Sequence, residues 1–146
     1  MSVEIIQNVI SSEDAQTIVS DLVKLYPDLA RENLHCTVDD SFQYLDYIPN
    51  LYVPNLKHQI GRYAVSMNKH GWYPGIEWHS DGTEDELSML LYISGDNSHG
   101  GDFLTKESVN KFELYSLFIL NSSIVHCVTP YSCNVPRIAF KWRYKI

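Results

Sequence analysis

The chain has 146 residues, of which 45% are hydrophobic and 12% aromatic, a composition that supports one sizeable core and excludes a disordered or fibrous protein. We therefore expect a single domain over residues 1–146. The formal net charge of -7 should repel the phosphate backbone of nucleic acid, so it argues against a nucleic-acid partner without excluding one.

The start of the chain does not resemble a targeting segment. Its first residues, MSVEIIQ, lack the basic segment and long apolar run of a secretion signal, and every apolar run in the chain is too short to span a bilayer. The cysteines Cys36, Cys127 and Cys133 lack C-x-x-C spacing, and their odd number fits free thiols in a reducing compartment. We expect a cytoplasmic protein that does not enter a membrane; the sequence does not indicate its oligomeric state.

The clearest predicted element is a helix over residues 12–26. A serine followed by Glu13 and Asp14 is typical of the start of a helix, and Pro27 provides a stop signal. Apolar residues recur at intervals of three and four and form one stripe: Ala15, Ile18, Val19, Leu22, Leu25 and Tyr26. We predict a scaffolding role for this helix, because nothing on its polar face resembles a site.

Most of the remaining chain favours β-structure. Residues 34–58 are irregular in pattern, and no regular structure is predicted for them. Short β-favouring runs lie between turn signals, at about residues 3–10, 60–68, 75–80, 87–94, 101–105, 114–120, 124–129 and 136–145. This spacing favours a sandwich or a barrel.

The last predicted strand has two different faces. One face is apolar, with Ile138, Phe140, Trp142 and Tyr144. The other face is largely basic, with Arg137, Ala139, Lys141 and Arg143. The pattern fits an ordinary half-exposed strand, and it also fits a barrel wall whose inner face binds an acid.

Two histidines and an aspartate are candidates for a metal site. His79 and Asp81 are two residues apart, so on an extended segment their side chains lie on the same side. His126 follows a later apolar run, and Arg137 lies eleven residues beyond it, after a turn-rich segment. Taken singly, these residues fit a surface turn, a core histidine and a surface ion pair. Two histidines and one carboxylate form the facial triad that suits non-haem Fe(II) and leaves coordination positions open.

A zinc site is a weaker alternative. His126 and Cys127, with Cys133 nearby, lack a second pair of ligands at compatible spacing. The histidines without a partner at metal-ligand spacing are predicted to be structural or solvent-facing: His35, His58, His70 and His99.

The order H-x-D, GGDF, distal histidine and arginine resembles the Fe(II)- and 2-oxoglutarate-dependent dioxygenase superfamily, over about residues 60–146. The resemblance implies a double-stranded β-helix, or jelly roll, that is mainly β with flanking helices. It implies that iron is held by His79, Asp81 and His126. It also implies that Arg137 pairs with the far carboxylate of 2-oxoglutarate, and that the protein is an oxidoreductase that uses O2 to hydroxylate a second substrate.

The sequence resembles two branches of this superfamily. The stretch LSMLLYISGDNSHGGDFLT is similar to the prolyl-hydroxylase type, which implies that Tyr92 joins the arginine on the cosubstrate carboxylate; a core aromatic is the alternative for Tyr92. Asn68, the stretch IEWHSD and the spacing of Arg137 to Arg143 are similar to AlkB-type nucleic-acid demethylases. That branch has a tyrosine where this chain has His70, and a small polar residue in place of Lys141.

We therefore expect a hydroxylase that acts on a protein side chain, such as proline, or on a small molecule. An AlkB-like demethylase and a non-catalytic jelly-roll module that binds a metal or a small acid are the alternatives. Arg143 is a further candidate for cosubstrate binding, together with Asn68. The aromatic residues Trp78, Trp72 and Tyr73 are candidates for substrate contacts near the mouth of the site.

Overall fold

Strands dominate the computed structural model, which describes residues 3–40, 42–67, 72–73 and 75–146. In chain order the strands are β1 (Glu4–Ile6), β2 (Leu34–Thr37), β3 (Gln59–Met67), β4 (Trp72–Tyr73), β5 (Ile76–His79), β6 (Glu86–Ser94), β7 (Phe103–Thr105), β8 (Val109–Asn110), β9 (Leu117–Asn121), β10 (His126–Val128), β11 (Tyr131–Ser132) and β12 (Arg137–Lys145). The helices are α1 (Ser12–Leu25), a 3-10 turn (Pro27–Ala30) and α2 (Tyr47–Tyr52).

Two sheets face each other across a cavity. The major sheet has the strand order β1-β9-β6-β12-β3-β2, and the minor sheet has the order β5-β10-β7-β8. A short ladder joins β4 to β11. Every pairing between described strands is antiparallel. The long strands β3, β6 and β12 lie side by side and form a stable centre for the major sheet.

The helix α1 covers the outer face of the major sheet and confirms the prediction for residues 12–26. Its N-cap is Ser11, whose hydroxyl accepts a hydrogen bond of 3.1 Å from the backbone N–H of Asp14. The buried members of the predicted stripe are Ala15, Ile18 and Leu22. None of the described helices is long and apolar enough to cross a membrane.

The alternation in β12 divides the interior into two cores. The apolar face, with Phe140 and Trp142, packs in the cluster that includes α1. The opposite face, with Arg137 and Lys141, lines a cavity between the two sheets, and Ala139 joins the core that lies there. Of the two arrangements that the sequence allowed, the structure therefore has the basic face directed into the jelly roll.

The structure differs from the sequence prediction over residues 34–58, where β2 and α2 occur. The strand β2 has four residues and lies at the edge of the major sheet, so its pattern is too short to detect from sequence. The helix α2 has six residues and depends on tertiary packing, with Ile48 and Pro49 buried. The two-residue strands β4, β8 and β11 were also not predicted.

Candidate metal centre

The structure brings the three predicted ligands together. His79 ends β5, Asp81 follows two residues later, and His126 begins β10 directly opposite His79 in the ladder. One donor atom from each side chain lies within 4.8 Å of the other two. The imidazole centroids are 4.4 Å apart. This arrangement can hold one metal ion on one face and leaves the cavity side open.

A β-bulge in β5 directs the side chain of His79 toward the cavity. Val128 faces Ile76 and His126 faces His79, so three steps along β5 match two steps along β10. Because of the extra residue, Ile76 and His79 both line the cavity. Trp78 lies outside the cavity lining, with 45% of its surface exposed.

The ring nitrogens of the two histidines are oriented by backbone carbonyls. Nδ1 of His79 is 2.7 Å from the carbonyl oxygen of Glu77, and Nδ1 of His126 is 2.9 Å from that of Ile124. Since a carbonyl only accepts, each Nδ1 carries a hydrogen, and in the neutral form of the ring Nε2 is the nitrogen with the lone pair. The two Nε2 atoms lie 3.3 and 3.6 Å from the carboxylate oxygens of Asp81. Hydrogen bonds of this kind fix metal-ligating histidines in their working orientation.

Asp81 is fixed from its backbone and from its side chain. Its N–H and that of Gly82 both donate to the carbonyl oxygen of Ser122, at 2.9 Å. Burial opposes ionisation, but the charge of Lys141, whose Nζ is 3.1 Å from Oδ2, acts with the histidines to hold the Asp81 pKa below its ordinary value. Burial lowers the pKa of His126, with Asp81 opposing this effect. An ionised carboxylate and a neutral imidazole are the forms that bind metals.

The ligands open into a cavity of about 500 Å³ between the sheets. Its size is within the usual range of small-molecule sites. The lining residues are Asn33, Leu34, His35, Val65, Ser66, Met67, Ile76, His79, Asp81, Leu90, Phe103, His126, Val128, Arg137 and Lys141. Seven of these fifteen residues are apolar and eight are polar or charged. Phe103 stacks on the His126 ring at 4.5 Å between centroids.

Arg137 is buried in the cavity wall with part of its guanidinium unused. Its Nε donates to the carbonyl oxygen of Gly101 at 3.2 Å, while Nη2 is buried and has no hydrogen-bond partner among the described residues. Gly101 of the GGDF motif permits this approach, because a Cβ there would lie 2.8 Å from Cδ of Arg137 and its φ of +71° favours glycine. The guanidinium carbon lies 4.7 Å from the centroid of the Tyr92 ring.

Tyr92 is fully buried, and its hydroxyl also lacks a hydrogen-bond partner among the described residues. Burial raises the pKa of Tyr92, and the charge of Arg137 opposes this effect, so the phenol keeps its proton at neutral pH. The ring also makes edge contacts with Phe112 and Phe118. Two buried donors without partners in the described part of the chain thus belong to neighbouring side chains: Arg137, which lines the cavity, and Tyr92, which lies behind it. A bound carboxylate is a group that could satisfy such donors.

Comparison with known proteins places this geometry in a known fold. No protein-family model and no curated protein matches the sequence. HygX from Streptomyces hygroscopicus, solved with nickel and 2-oxoglutarate bound, superposes with a TM-score of 0.77 at 12% identity, over 98% of this chain and 82% of HygX. The chain has the fold of this protein.

Prolyl hydroxylases have the same fold. The viral collagen prolyl hydroxylase of Paramecium bursaria Chlorella virus-1, in complex with 2-oxoglutarate, gives a TM-score of 0.68 at 12% identity over 100% of this chain and 97% of its own. The prolyl hydroxylase of Trichoplax adhaerens, in complex with a peptide fragment of hypoxia inducible factor, gives 0.70 at 16% identity over 98% and 83%. The predicted fold class, a mainly β jelly roll with flanking helices, is confirmed.

Three predicted site residues in the described part of the chain do not line the jelly-roll cavity: Tyr92, Arg143 and Trp78. Arg143 forms an ion pair with Glu86, and this position gives no support to the cosubstrate role predicted for it. Trp78 is on the surface, where the Nζ of Lys106 lies 3.8 Å from the centroid of its ring. This contact is separate from the cavity, so the substrate role predicted for Trp78 is also without support.

Three further predictions fall outside what the structure describes. Asn68 is not among the described residues. The backbone of Trp72 and Tyr73 forms β4, which pairs with Ser132 and Tyr131 of β11. The substrate roles predicted for these two aromatic side chains remain predictions.

Two titratable lining residues, His35 and Lys141, were not predicted as part of the site. His35 of β2 was expected to be structural or solvent-facing, yet it lines the cavity, with its ring centroid 5.1 Å from that of Tyr63. Burial lowers the pKa of His35, and Lys141 lowers it further. The sequence contained no signal for His35, because β2 itself was not predicted. The alternation in β12 placed Lys141 on the basic face but left open whether that face is exposed or lines the interior, and no role was assigned to Lys141.

A second group of donor atoms lies away from the cavity. Asp96, His99 and Cys133 each place one donor atom within 4.8 Å of the others. Asp96 and His99 are exposed and Cys133 is partly exposed. None of the three lines the cavity, so this surface group is separate from the metal centre.

Proposed function

We propose that the protein is an Fe(II)- and 2-oxoglutarate-dependent oxygenase that hydroxylates a peptide side chain or a small molecule. The observation that carries this proposal is the pairing of two features in one cavity. Its wall holds a cluster of two histidines and one aspartate, and it also holds Arg137, whose guanidinium has a buried donor without a partner. A metal alone would explain the first feature, while a metal with a carboxylate-bearing cosubstrate explains both.

The donor set fits iron. His79, Asp81 and His126 supply two imidazole nitrogens and one carboxylate oxygen, a combination that binds Fe(II) on one face of an octahedron. Nickel and iron are also bound in structures of HygX, which has this fold. The backbone partners of the histidines support the same role, because they keep each Nε2 available to the metal.

The part of the cavity wall at Arg137 fits the distal carboxylate of 2-oxoglutarate. In the proposed complex Arg137 and Tyr92 donate to it, which would satisfy both buried groups that now lack partners. The guanidinium is held in place by Gly101 and by the face of the Tyr92 ring, so little side-chain freedom is lost on binding. HygX and the viral collagen prolyl hydroxylase have both been solved with 2-oxoglutarate.

In the reaction, bound Fe(II) and 2-oxoglutarate supply the oxidising chemistry that uses O2 to place a hydroxyl group on the substrate and releases succinate and CO2. The chain provides orientation and exclusion of water. His79, Asp81 and His126 fix the metal position, and the carbonyl partners prevent the imidazoles from rotating. Apolar lining residues keep bulk water out of the cavity: Met67, Ile76, Leu90, Phe103 and Val128.

A peptide or small molecule is the substrate class that the chain supports best. The Trichoplax protein binds a peptide, which is the precedent within this fold. The net charge of -7 gives no long-range attraction for nucleic acid. The demethylase alternative relied in part on Arg143, which is paired with Glu86 outside the cavity. A non-catalytic binding module would not require the open metal face.

Turnover of 2-oxoglutarate tests the proposal. With 2-oxoglutarate, Fe(II), ascorbate and O2, we expect the wild-type protein to form succinate. Succinate should form faster when a molecule that the enzyme hydroxylates is also present. His126→Ala should abolish succinate formation and weaken Mn(II) binding by at least about a hundredfold, since changes even to outer partners of metal ligands cost up to that factor. His58→Ala is the matched control, because this exposed histidine is outside the cavity and should behave as wild type. Unchanged metal affinity in His126→Ala would contradict the proposal.

A further inference from the structure

Lys141 is a buried cation beside the candidate metal ligands. It lies on the inner face of β12, is 8% exposed and places Nζ 3.1 Å from Oδ2 of Asp81. It also lines the cavity that contains Arg137. A lysine in such a position needs compensation, because burying an ammonium group without sufficient negative charge is unfavourable.

The charges around the cavity do not balance. Among the described lining residues, Arg137 and Lys141 are the cationic side chains apart from histidine, and Asp81 is the single carboxylate. Two positive charges and one negative charge leave a surplus of one positive charge. The proposed metal and cosubstrate do not remove it, because a divalent cation and a dianion cancel each other. The surplus remains in the site when both are bound.

The surplus is located at Lys141. In the proposed complex the charge of Arg137 is met by the far carboxylate of the cosubstrate. Lys141 is four residues further along the same strand, which separates the two Cα atoms by roughly 13 Å. Asp81 is its one charged partner among the described residues, and that carboxylate also serves the metal. The ammonium group therefore has a share of one carboxylate and is exposed to the cavity through its remaining donors.

The surroundings of Lys141 accept an anion. Tyr63 of β3 lies opposite Lys141 in the ladder, and Thr37 of β2 lies opposite Tyr63. The ring of His35 packs near Tyr63 and lines the cavity. Of these neighbours, His35 lines the cavity, and none of the three is a carboxylate, so Asp81 is the one carboxylate in this part of the cavity wall among the described residues. A negatively charged group in this part of the cavity would meet attraction from Lys141 and repulsion from Asp81, and a metal cation bound to Asp81 would offset that repulsion.

We propose that Lys141 binds a carboxylate of the prime substrate, so that the enzyme acts on a molecule that carries an anionic group near the carbon to be hydroxylated. This inference rests on the proposed function and specifies its substrate class. Because the net charge of -7 does not attract anions from a distance, the selectivity is local to the cavity. Lys141 also holds Oδ2 of Asp81, and this second contact positions the metal ligand.

Acetate and acetamide are suitable probes, since they have nearly the same shape and differ in charge. The protein is loaded with saturating Mn(II) and 2-oxoglutarate, and the paramagnetic relaxation of each probe's methyl protons is measured by NMR. For wild type we expect acetate to bind about tenfold or more tightly than acetamide, as is typical of a charge-assisted hydrogen bond. In Lys141→Met the two probes should bind equally, and Lys141→Arg should retain part of the preference.

The outcomes separate the possible roles of Lys141. Mn(II) affinity is measured for every variant, and Lys141→Gln is used if Lys141→Met does not fold. If Lys141→Met or Lys141→Gln weakens Mn(II) binding but keeps the acetate preference at saturating metal, Lys141 only positions Asp81 and the inference is wrong. An equal response to both probes in wild type would also overturn it. Failure of wild type to bind Mn(II) or 2-oxoglutarate would instead contradict the proposed function.

A positive result leads to a second comparison, between a free acid and an acidic peptide. N-acetyl-L-proline and N-acetyl-L-prolinamide test a carboxylate on a small molecule. A capped peptide with aspartate next to proline, compared with its asparagine counterpart, tests a carboxylate on a peptide. If the acidic compound of one pair binds more tightly than its neutral counterpart, and this preference is lost in Lys141→Met, that pair identifies the source of the anion. If neither pair shows a preference, the site accepts only anions as small as acetate, and the assignment of Lys141 to the prime substrate is wrong.

Discussion

Burial disfavours the charged forms of two candidate metal ligands, so it raises the pKa of Asp81 and lowers the pKa of His126, and nearby positive charges outweigh it at Asp81. At Asp81 the charge of Lys141 and the histidines outweighs burial, so the carboxyl pKa is lowered and the group is ionised at neutral pH. At His126 burial lowers the imidazole pKa, which favours the neutral ring. Both shifts keep the side chains in their metal-binding forms to a lower pH than their ordinary values would allow.

Arg137 offers the most direct residue-scale test of cosubstrate binding. Arg137→Leu removes the donor that lacks a partner and should raise the Kd for 2-oxoglutarate at least about tenfold, since a hydrogen bond to a charged group contributes about 1.5–3 kcal/mol. Mn(II) affinity should be unchanged because Arg137 does not contact the ligand side chains. Calorimetric titration measures both constants. Arg31→Leu, at an exposed arginine paired with Asp28, is the control; unchanged 2-oxoglutarate affinity in Arg137→Leu would contradict the proposed orientation.

Tyr92 separates a binding role from a packing role. Its hydroxyl is buried and has no hydrogen-bond partner in the described part of the chain, so Tyr92→Phe should leave the free energy of unfolding unchanged or slightly higher. The ring contacts with Arg137 and Phe112 are retained in this variant. If the hydroxyl donates to the cosubstrate, 2-oxoglutarate affinity should fall about tenfold. Urea unfolding and calorimetric titration give the two values; equal affinity in the variant would restrict Tyr92 to packing.

At the scale of elements, the predictable parts are those with a long repeating pattern. The helix α1 has a cap, an apolar stripe and a proline after it, and β12 alternates over nine residues. Patterns of this length identify an element without knowledge of its neighbours. The strand β2 and the helix α2 are too short for this, and they are stabilised by residues distant in the chain. The same limit hid His35, which lies on β2.

An ion-pair network attaches the segment before α2 to the major sheet. Arg62 of β3 is buried and pairs with Asp46 through two nitrogens and with Asp40 at 3.0 Å. Asp46 also accepts a hydrogen bond of 3.0 Å from Nε1 of Trp142 on β12. These contacts explain why the region folds against the sheet although its local sequence pattern is weak.

The two aspartates provide a matched test of this network. Asp46→Ala should lower the free energy of unfolding by about 3 kcal/mol, because it leaves a buried arginine without its main partner and Trp142 without an acceptor. Asp40→Ala should have no measurable effect, since the Asp40 side chain is 96% exposed. Urea unfolding monitored by circular dichroism distinguishes them. Equal losses in the two variants would contradict the assignment of the stabilising contact to Asp46.

At the scale of the whole molecule, the sequence indicated the ligands and the structure supplied their surroundings. The order of His79, Asp81 and His126 suggested a shared metal, and the alternation in β12 placed Arg137 on a basic face that fitted either an exposed surface or a barrel interior. The bulge in β5, the packing of Tyr92 against the guanidinium and the contact between Lys141 and Asp81 depend on contacts between distant strands. Contacts between distant strands cannot be predicted from the spacing of residues along one strand.

The absorption spectrum of the anaerobic complex with Fe(II) and 2-oxoglutarate tests the central claim most directly. A keto acid chelated to iron in this site should produce a metal-to-ligand charge-transfer band in the visible region. We expect the band in wild type and in His58→Ala, and we expect no band in His126→Ala. Because the band requires both the metal and the cosubstrate at one centre, it reports on the whole cavity. Its absence from wild-type protein that is saturated with Fe(II) and 2-oxoglutarate would contradict the proposed function.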